Sequence, residues 1–170
     1  MPSPGDPQPL VTMQADVPLP NDVSDASLAS LAAHILEAEG VGGAWPLGIH
    51  FVNDVTMQAA HVEFMGIDEP TDIMTFPYEE GEDDDFGPWV QDEAEETAGQ
   101  GGDLLISVDR AAENAAEAGW TTAKELHFLV AHGILHLLGW DDASEEERTA
   151  MLERQAALLS GWPEAPEATR

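Results

Sequence analysis

The sequence predicts an α+β fold in which a four-stranded mixed sheet packs with about five helices. Four short segments are apolar or alternate apolar and polar residues, which is typical of strands. Five longer segments carry apolar residues at helical spacing, and they do not alternate regularly with the strands. Because the order is irregular, a segregated α+β arrangement is favoured over a regular parallel α/β sheet.

The predicted strands are residues 11–17, 46–53, 71–77 and 102–107. The predicted helices begin at Ser24, near residue 54, at Asp109 as a cap, at Thr122 and at Ser144. Thr122 with Glu125, and Ser144 with Glu147, have the spacing of capping boxes, in which each side chain bonds its partner's backbone N–H. The helix from Thr122 is apolar nearly all round, so we expect it to be the buried centre of the fold.

Length and composition indicate one globular domain. The chain has 170 residues, 43% of them apolar, and we expect residues 10–162 to form the domain, with flexible tails at 1–9 and 163–170. Without cysteine, any metal must be held by His, Asp or Glu. No apolar stretch could span a bilayer, and the N-terminus does not resemble a signal peptide. We therefore expect a cytoplasmic protein with no membrane partner.

The charge balance is strongly acidic. Thirty-four acidic residues against five basic ones give a formal charge of −29, which should repel nucleic acid. A solvated surface, suited to high salt, explains it more simply than an acidic binding function. Residues 79–101 hold many of these charges and are predicted to be a mobile exposed loop, since their order lacks the pattern of a calcium-binding loop.

One motif carries the chemistry. His132 and His136 are four residues apart in an apolar helix, which places both imidazoles on one face. Gly139 can end that helix and let the chain turn back, which brings Asp142 towards the same point. Two imidazoles and a carboxylate with open positions are typical of a catalytic divalent-metal site. Alternatively, the histidines are structural and each has a hydrogen-bond partner.

The spacing is also that of metal proteases with a His-Glu-x-x-His helix. In those enzymes the Glu after the first His is the general base, but here that position is Gly133. A glycine cannot take a proton, so peptide hydrolysis is disfavoured. His127 lies on a different face from the pair, which indicates either a residue that orients a ligand or a packing residue.

Three segments together resemble the YbeY family of rRNA-maturation endoribonucleases. They are residues 132–141, which resemble the family's metal motif, residues 68–77, which resemble its Thr-Asp strand, and residues 102–107, which resemble its Gly-Asp-Ile strand. The resemblance implies an α+β fold with a zinc-protease-like metal helix at its centre. It further implies a metal-dependent, single-strand-specific endoribonuclease that matures the 16S rRNA 3′ end and acts in ribosome quality control. Ribosomal RNA and the ribosomal subunit or its proteins would be the partners.

The resemblance implies a metal site of His132, His136 and Asp142 around one Zn²⁺ ion, with other divalent metals left open. Two residues would orient the ligands, namely His127 and Asp141. Asp72 is a further catalytic candidate, and it would line the cleft with Thr71 and Ser107.

Two positions depart from the family pattern. Asp142 stands where the family has a third histidine, which lowers the positive charge of the centre. Met65 stands where the family has an arginine, so a side chain suited to phosphate is missing. His61, Arg110 and Lys124 are the nearby bases that could compensate.

These departures leave two alternative functions open. One is a ribosome-assembly factor that keeps the fold and the metal but has weak or no nuclease activity. The other is a metal-dependent hydrolase of another substrate, which the protease-like spacing motivates. The oligomeric state is not predicted.

Overall fold

The computed structural model describes residues 10–41, 45–69, 71–78 and 101–162. Four strands lie within these ranges: β1 (Leu10–Ala15), β2 (Pro46–Val52), β3 (Ile73–Pro77) and β4 (Gly102–Ser107). Five helices accompany them: α1 (Asp25–Ala38), α2 (Asp54–Met65), α3 (Val108–Ala118), α4 (Thr122–Leu137) and α5 (Glu145–Ser160). The predicted tails, and all of the predicted acidic loop but Gly101, lie outside the described residues.

The strands form one mixed sheet in the order β1-β2-β4-β3. β1 pairs with β2, and β2 with β4, in parallel, whereas β3 runs antiparallel to β4. The predicted α+β class with a four-stranded mixed sheet is therefore confirmed. β4 has the predicted bounds, while β1 ends at Ala15 and β3 begins at Ile73, each two residues inside the prediction.

Helix α4 is the centre of the packing, as its apolar sequence predicts. Ten of its sixteen residues are buried, and it contacts α1, α3, α5, β3 and β4. It lies close to the sheet at Gly133, where an added Cβ would be 2.6 Å from Leu104 Cδ2 and 3.0 Å from Ile73 Cδ1. Glycine at this position therefore lets the helix that carries both histidines lie against β4.

The helix caps correct two predictions. Ser107, not Asp109, caps α3, because its hydroxyl accepts the Arg110 N–H. Thr121, one residue before the predicted Thr122, caps α4 by accepting the Lys124 N–H. The side chain of Glu125 is thereby left for other contacts.

The cap of α5 agrees with its prediction. Ser144 and Glu147 form the predicted capping box. In the part of the chain that the structure describes, no helix is both long enough and apolar enough to cross a membrane.

Candidate metal centre

Helix α4 presents His132 and His136 side by side at its C-terminal end. Their ring centroids are 4.7 Å apart with the planes nearly perpendicular, and their side chains are 20% and 26% exposed. One helical turn separates residues four apart, so this proximity follows from the sequence spacing. Both rings can therefore be reached from solvent.

The turn after α4 brings a carboxylate to the same point. Gly139 has a φ of +106°, a conformation that L side chains rarely adopt, and the chain reverses there as predicted. Asp142 Oδ2 lies 3.4 Å from His136 Nε2 and 3.8 Å from His132 Nε2. Asp141 Oδ1 accepts the backbone N–H of Asp142 at 2.8 Å, which steadies the turn that carries the carboxylate.

The spacing of these atoms fits a divalent metal ion. The three ligand atoms all lie within 4.8 Å of one another. Zn–ligand bonds of about 2.0–2.1 Å in tetrahedral geometry place neighbouring ligand atoms about 3.3 Å apart. The two measured separations from Asp142, 3.4 and 3.8 Å, are close to this spacing.

Gln155 of α5 fixes the orientation of one ligand. Its Nε2 donates to the backbone oxygen of Phe128 at 2.9 Å, and its Oε1 lies 2.9 Å from His132 Nδ1. A carbonyl oxygen can only accept, so the amide of Gln155 must place its oxygen towards the ring, and Nδ1 must carry the proton. The lone pair of His132 is then on Nε2, the atom that faces Asp142. Sequence reasoning missed Gln155, because it lies 23 positions away.

His127 lies apart from this group. The ring nitrogens of this buried histidine are 2.9 Å from Ala123 O and 2.9 Å from Ser27 Oγ, and its ring packs on Trp162. Burial lowers the pKa of His127, which favours the neutral ring. These contacts are those of a packing residue, one of the two interpretations left open, and they do not connect His127 to His132.

Two of the three ligand candidates, His132 and Asp142, line a cleft of about 570 Å³. Its lining is made by Asp72, Ile73, Asn114, Glu117, Ala118, Glu125, Phe128, Leu129, His132, Asp142, Arg148 and Leu152. Asp72 lies in the same cleft as His132 and Asp142, two of the three ligand candidates. Thr71 and Ser107 are not among the lining residues, and Ser107 is fully buried with its hydroxyl donating to Asp54 at 2.6 Å, so the prediction for Ser107 is wrong.

A buried carboxyl group lies at the base of this cleft. Glu125 is 4% exposed and accepts hydrogen bonds from Trp120 Nε1 at 2.9 Å and Asn114 Nδ2 at 3.4 Å. The amide of Asn114 also donates to Asp72 at 3.3 Å and so joins the two acids. Burial raises the pKa of Glu125, and the nearby charge of Asp72 adds to this, against the two hydrogen bonds. The sequence spacing indicates that Glu125 and His132 lie on the same side of α4, because two helical turns separate them.

The suggested replacements for the missing arginine are engaged elsewhere. Met65 is 61% exposed at the end of α2. Arg110 pairs with Asp54, Lys124 lies over a tryptophan ring, and His61 Nδ1 is 2.6 Å from a backbone oxygen. None of these three bases lines the cleft.

Comparison with known proteins agrees with this architecture. The family model described as Endoribonuclease YbeY matches residues 14–163. Proteins named Endoribonuclease YbeY from Salinispora tropica and Frankia alni are 38% and 35% identical to the chain. These alignments cover 83% and 87% of the chain, and 89% and 80% of the relatives. The solution structure of TM1509 from Thermotoga maritima matches with a TM-score of 0.54 at 22% identity, over 93% of this chain and 97% of that one, which supports the fold alone.

Proposed function

The chain belongs to the YbeY family of endoribonucleases, and we propose that it cleaves single-stranded RNA with a divalent metal ion held by His132, His136 and Asp142. The observation that carries this proposal is the convergence of three ligand atoms within 4.8 Å at the edge of an open cleft. Zinc is the proposed ion, because two imidazoles and a carboxylate with one open position are a common zinc donor set.

The chain's own residues set the properties of the site. The ion, when bound, supplies Lewis acidity that polarises a phosphate oxygen and activates water. As ligands of an ion, two imidazoles would add no charge, whereas the carboxylate of Asp142 would subtract one unit from the charge of the centre. Attraction for a phosphate should therefore be weaker than at a centre with three imidazoles. Gln155 holds the Nδ1 proton of His132, and Asp141 steadies the backbone of Asp142.

The proposed substrate is ribosomal RNA, with maturation of the 16S rRNA 3′ end and ribosome quality control as the processes. The family membership and the resemblance of three separate sequence segments support this proposal. It makes the ribosomal subunit or its proteins the partners, and it places the activity in the cytoplasm, where ribosomes are assembled. The acidic composition argues that the RNA is presented to the cleft by such a partner rather than captured by the surface.

Cleavage of an end-labelled single-stranded RNA tests the activity. We expect cleavage by the zinc-loaded protein, loss of cleavage with a chelator, recovery when zinc is restored, and little cleavage of a duplex of the same sequence. His136→Ala should abolish the activity. His50→Ala is the matched control. His50 lies in β2, where it pairs with Asp16, and it does not line the cleft. Cleavage that survived in His136→Ala would reject the metal site as the catalyst.

Metal content tests the third ligand. We expect purified wild-type protein to retain close to one equivalent of zinc after dialysis and Asp142→Ala to retain much less. Asp142→His should retain the metal, because an imidazole is an equally good zinc ligand. If Asp142→Ala held zinc as well as wild type, Asp142 would not be a ligand.

A ribosome-assembly factor without nuclease activity is the second candidate function. Exposed Met65 and the acidic composition favour it, since neither helps to hold an RNA phosphate. It predicts that zinc-loaded wild-type protein leaves the RNA intact yet sediments with a ribosomal subunit. Hydrolysis of a peptide or ester is not favoured, because a side chain at position 133 would meet Leu104 and Ile73 of the sheet instead of the metal centre.

A further inference from the structure

Positive charge is scarce in this chain, and one positive side chain lies in the cleft. The five Lys and Arg residues are Arg110, Lys124, Arg148, Arg154 and Arg170. Arg170 lies outside the described residues. Of the other four, Arg148 alone lines the cleft, together with His132 and Asp142.

Two of the remaining cations are held by acidic partners. Arg110 Nε lies 3.1 Å from Asp54 Oδ2, and Arg154 Nε lies 2.6 Å from Glu39 Oε2. Both pairs join neighbouring helices, so these two positive charges are already neutralised by contacts within the fold.

The other two cations differ in their surroundings. Lys124 Nζ lies 4.7 Å from the centre of the Trp120 ring, as in a cation–π contact. Arg148 is exposed, and within the described ranges its guanidinium has no ion pair with a carboxylate. Its charge is therefore available to a ligand in the cleft.

The charge of Arg148 is not needed to begin its own helix. Arg148 is the fourth residue of α5, directly after three glutamates. A positive charge near a helix N-terminus opposes the helix dipole, and Ser144 already caps this end.

We propose that Arg148 binds a phosphate of the RNA strand that occupies the cleft. This inference rests on the proposed ribonuclease function. The other charged side chains of the cleft lining are the carboxyl groups of Asp72, Glu117, Glu125 and Asp142, which repel a phosphate. A guanidinium can bind phosphate through two parallel N–H groups, and here it adds one positive charge to a cleft whose other charged side chains are acidic.

A phosphate contact of this kind acts on binding. Arg148 would hold the RNA equally in the ground state and in the transition state, so its loss should raise KM and leave kcat within about twofold. One charge-assisted contact corresponds to an increase in KM of about tenfold. Removing one phosphate contact should also reduce the slope of log K against log salt by about 0.7 for a single strand.

Steady-state cleavage of a single-stranded RNA at several KCl concentrations tests the proposal with three variants. Arg148→Ala removes the contact, and Arg148→Lys keeps the charge but loses the paired N–H geometry. Thr149→Glu is the matched control, because it makes the same one-unit change in net charge at an exposed neighbour outside the cleft lining. RNA binding is measured in parallel by fluorescence anisotropy in the His136→Ala background, where the strand stays intact.

We expect the full increase in KM and the reduced salt slope with Arg148→Ala, an intermediate effect with Arg148→Lys, and values near wild type with Thr149→Glu. If Arg148→Ala and Thr149→Glu behaved alike, or if kcat fell while KM did not change, the phosphate contact would be refuted. If zinc-loaded wild type did not cleave RNA but Arg148→Ala still weakened binding in the His136→Ala background, the nuclease proposal would fail and the phosphate contact would stand.

Discussion

The hydrogen bond between Gln155 and His132 can be tested by two substitutions that separate ligand orientation from packing. Gln155 is fully buried, and its two ends bind His132 Nδ1 and Phe128 O at 2.9 Å each. Gln155→Leu keeps a side chain of similar length and removes both bonds. Gln155→Glu keeps an acceptor for the Nδ1 proton but loses the donor to Phe128.

The two variants should differ in metal affinity and in stability. Gln155→Leu should bind metal more weakly than wild type, whereas Gln155→Glu should lose stability and keep its metal affinity. Without an acceptor at Nδ1, His132 also populates the form that carries its proton on Nε2, which cannot ligate a metal through that atom. Loss of such a partner costs about 10- to 100-fold in metal affinity, or about 1.4–2.8 kcal/mol. Gln155→Glu should bind zinc at least as tightly as wild type. It should nevertheless be the less stable fold without metal, because it buries a charge.

Two measurements check this reasoning. Long-range ¹H–¹⁵N spectra of metal-free protein identify which nitrogen of His132 carries the proton, and we expect Nδ1 in wild type and a mixture in Gln155→Leu. Chelator competition gives the zinc affinity of each variant. A wild-type His132 protonated on Nε2, or a Gln155→Leu protein with wild-type zinc affinity, would refute the assignment.

Three further predictions concern packing and ionisation. Gly133→Ala places a methyl 2.6 Å from Leu104 Cδ2, so overpacking of about 1–3 kcal/mol should outweigh the helix-propensity gain of about 1 kcal/mol. Urea unfolding should show a net loss that a shorter residue at position 104 relieves; a gain in stability would contradict the close approach. The raised pKa of Glu125 means that its ionisation opposes folding. The unfolding free energy of wild type should therefore fall relative to that of Glu125→Gln as the pH rises above about 4.5. Parallel pH profiles of the two proteins would contradict this prediction. Burial, and after it the hydrogen bond to Asp103, raises the pKa of Tyr78 to about 12. Tyr78 is the single tyrosine of the chain, so an ultraviolet titration should show this pKa directly. A midpoint near 10 would contradict the prediction.

The metal ligands could be predicted from sequence because their geometry is local. A spacing of four residues in a helix fixes the relation of His132 to His136, and the glycine at 139 allows the reversal that returns Asp142. All three lie within eleven consecutive positions, so no long-range packing had to be known. The same local logic found the capping box of Ser144 with Glu147.

Long-range partners could not be predicted in this way. Gln155 meets His132 only because α5 packs against α4, and neither residue's neighbours in sequence indicate that contact. Glu125 illustrates the opposite error. Its spacing from Thr122 predicted a capping box, but the N-cap is one residue earlier, at Thr121, and the carboxyl of Glu125 accepts from Trp120 and Asn114 instead. Tertiary contacts here replaced a local pattern.

Two adjacent residues of α5 are connected to different parts of the candidate metal centre, one to His132 and the other to the turn before Asp142. Gln155 binds His132 of α4, while Arg154 binds Glu39 Oε2 at the end of α1. The other carboxylate oxygen of Glu39 accepts from Trp140 Nε1 at 3.0 Å, in the turn that leads to Asp142. Undocking α5 would therefore remove the hydrogen bond that orients His132 and the arginine that holds the partner of Trp140.

Metal binding and the docking of α5 should consequently be coupled. An ion that binds the folded site and not the unfolded chain stabilises the fold by about 2.7 kcal/mol when its concentration is a hundred times its Kd. Because Gln155 of α5 holds one ring nitrogen of His132, part of that free energy should appear as slower hydrogen exchange in α5 itself, although α5 supplies no ligand to the ion. Protection that increased only in α4 and in the turn to Asp142 would show instead that the site forms without α5.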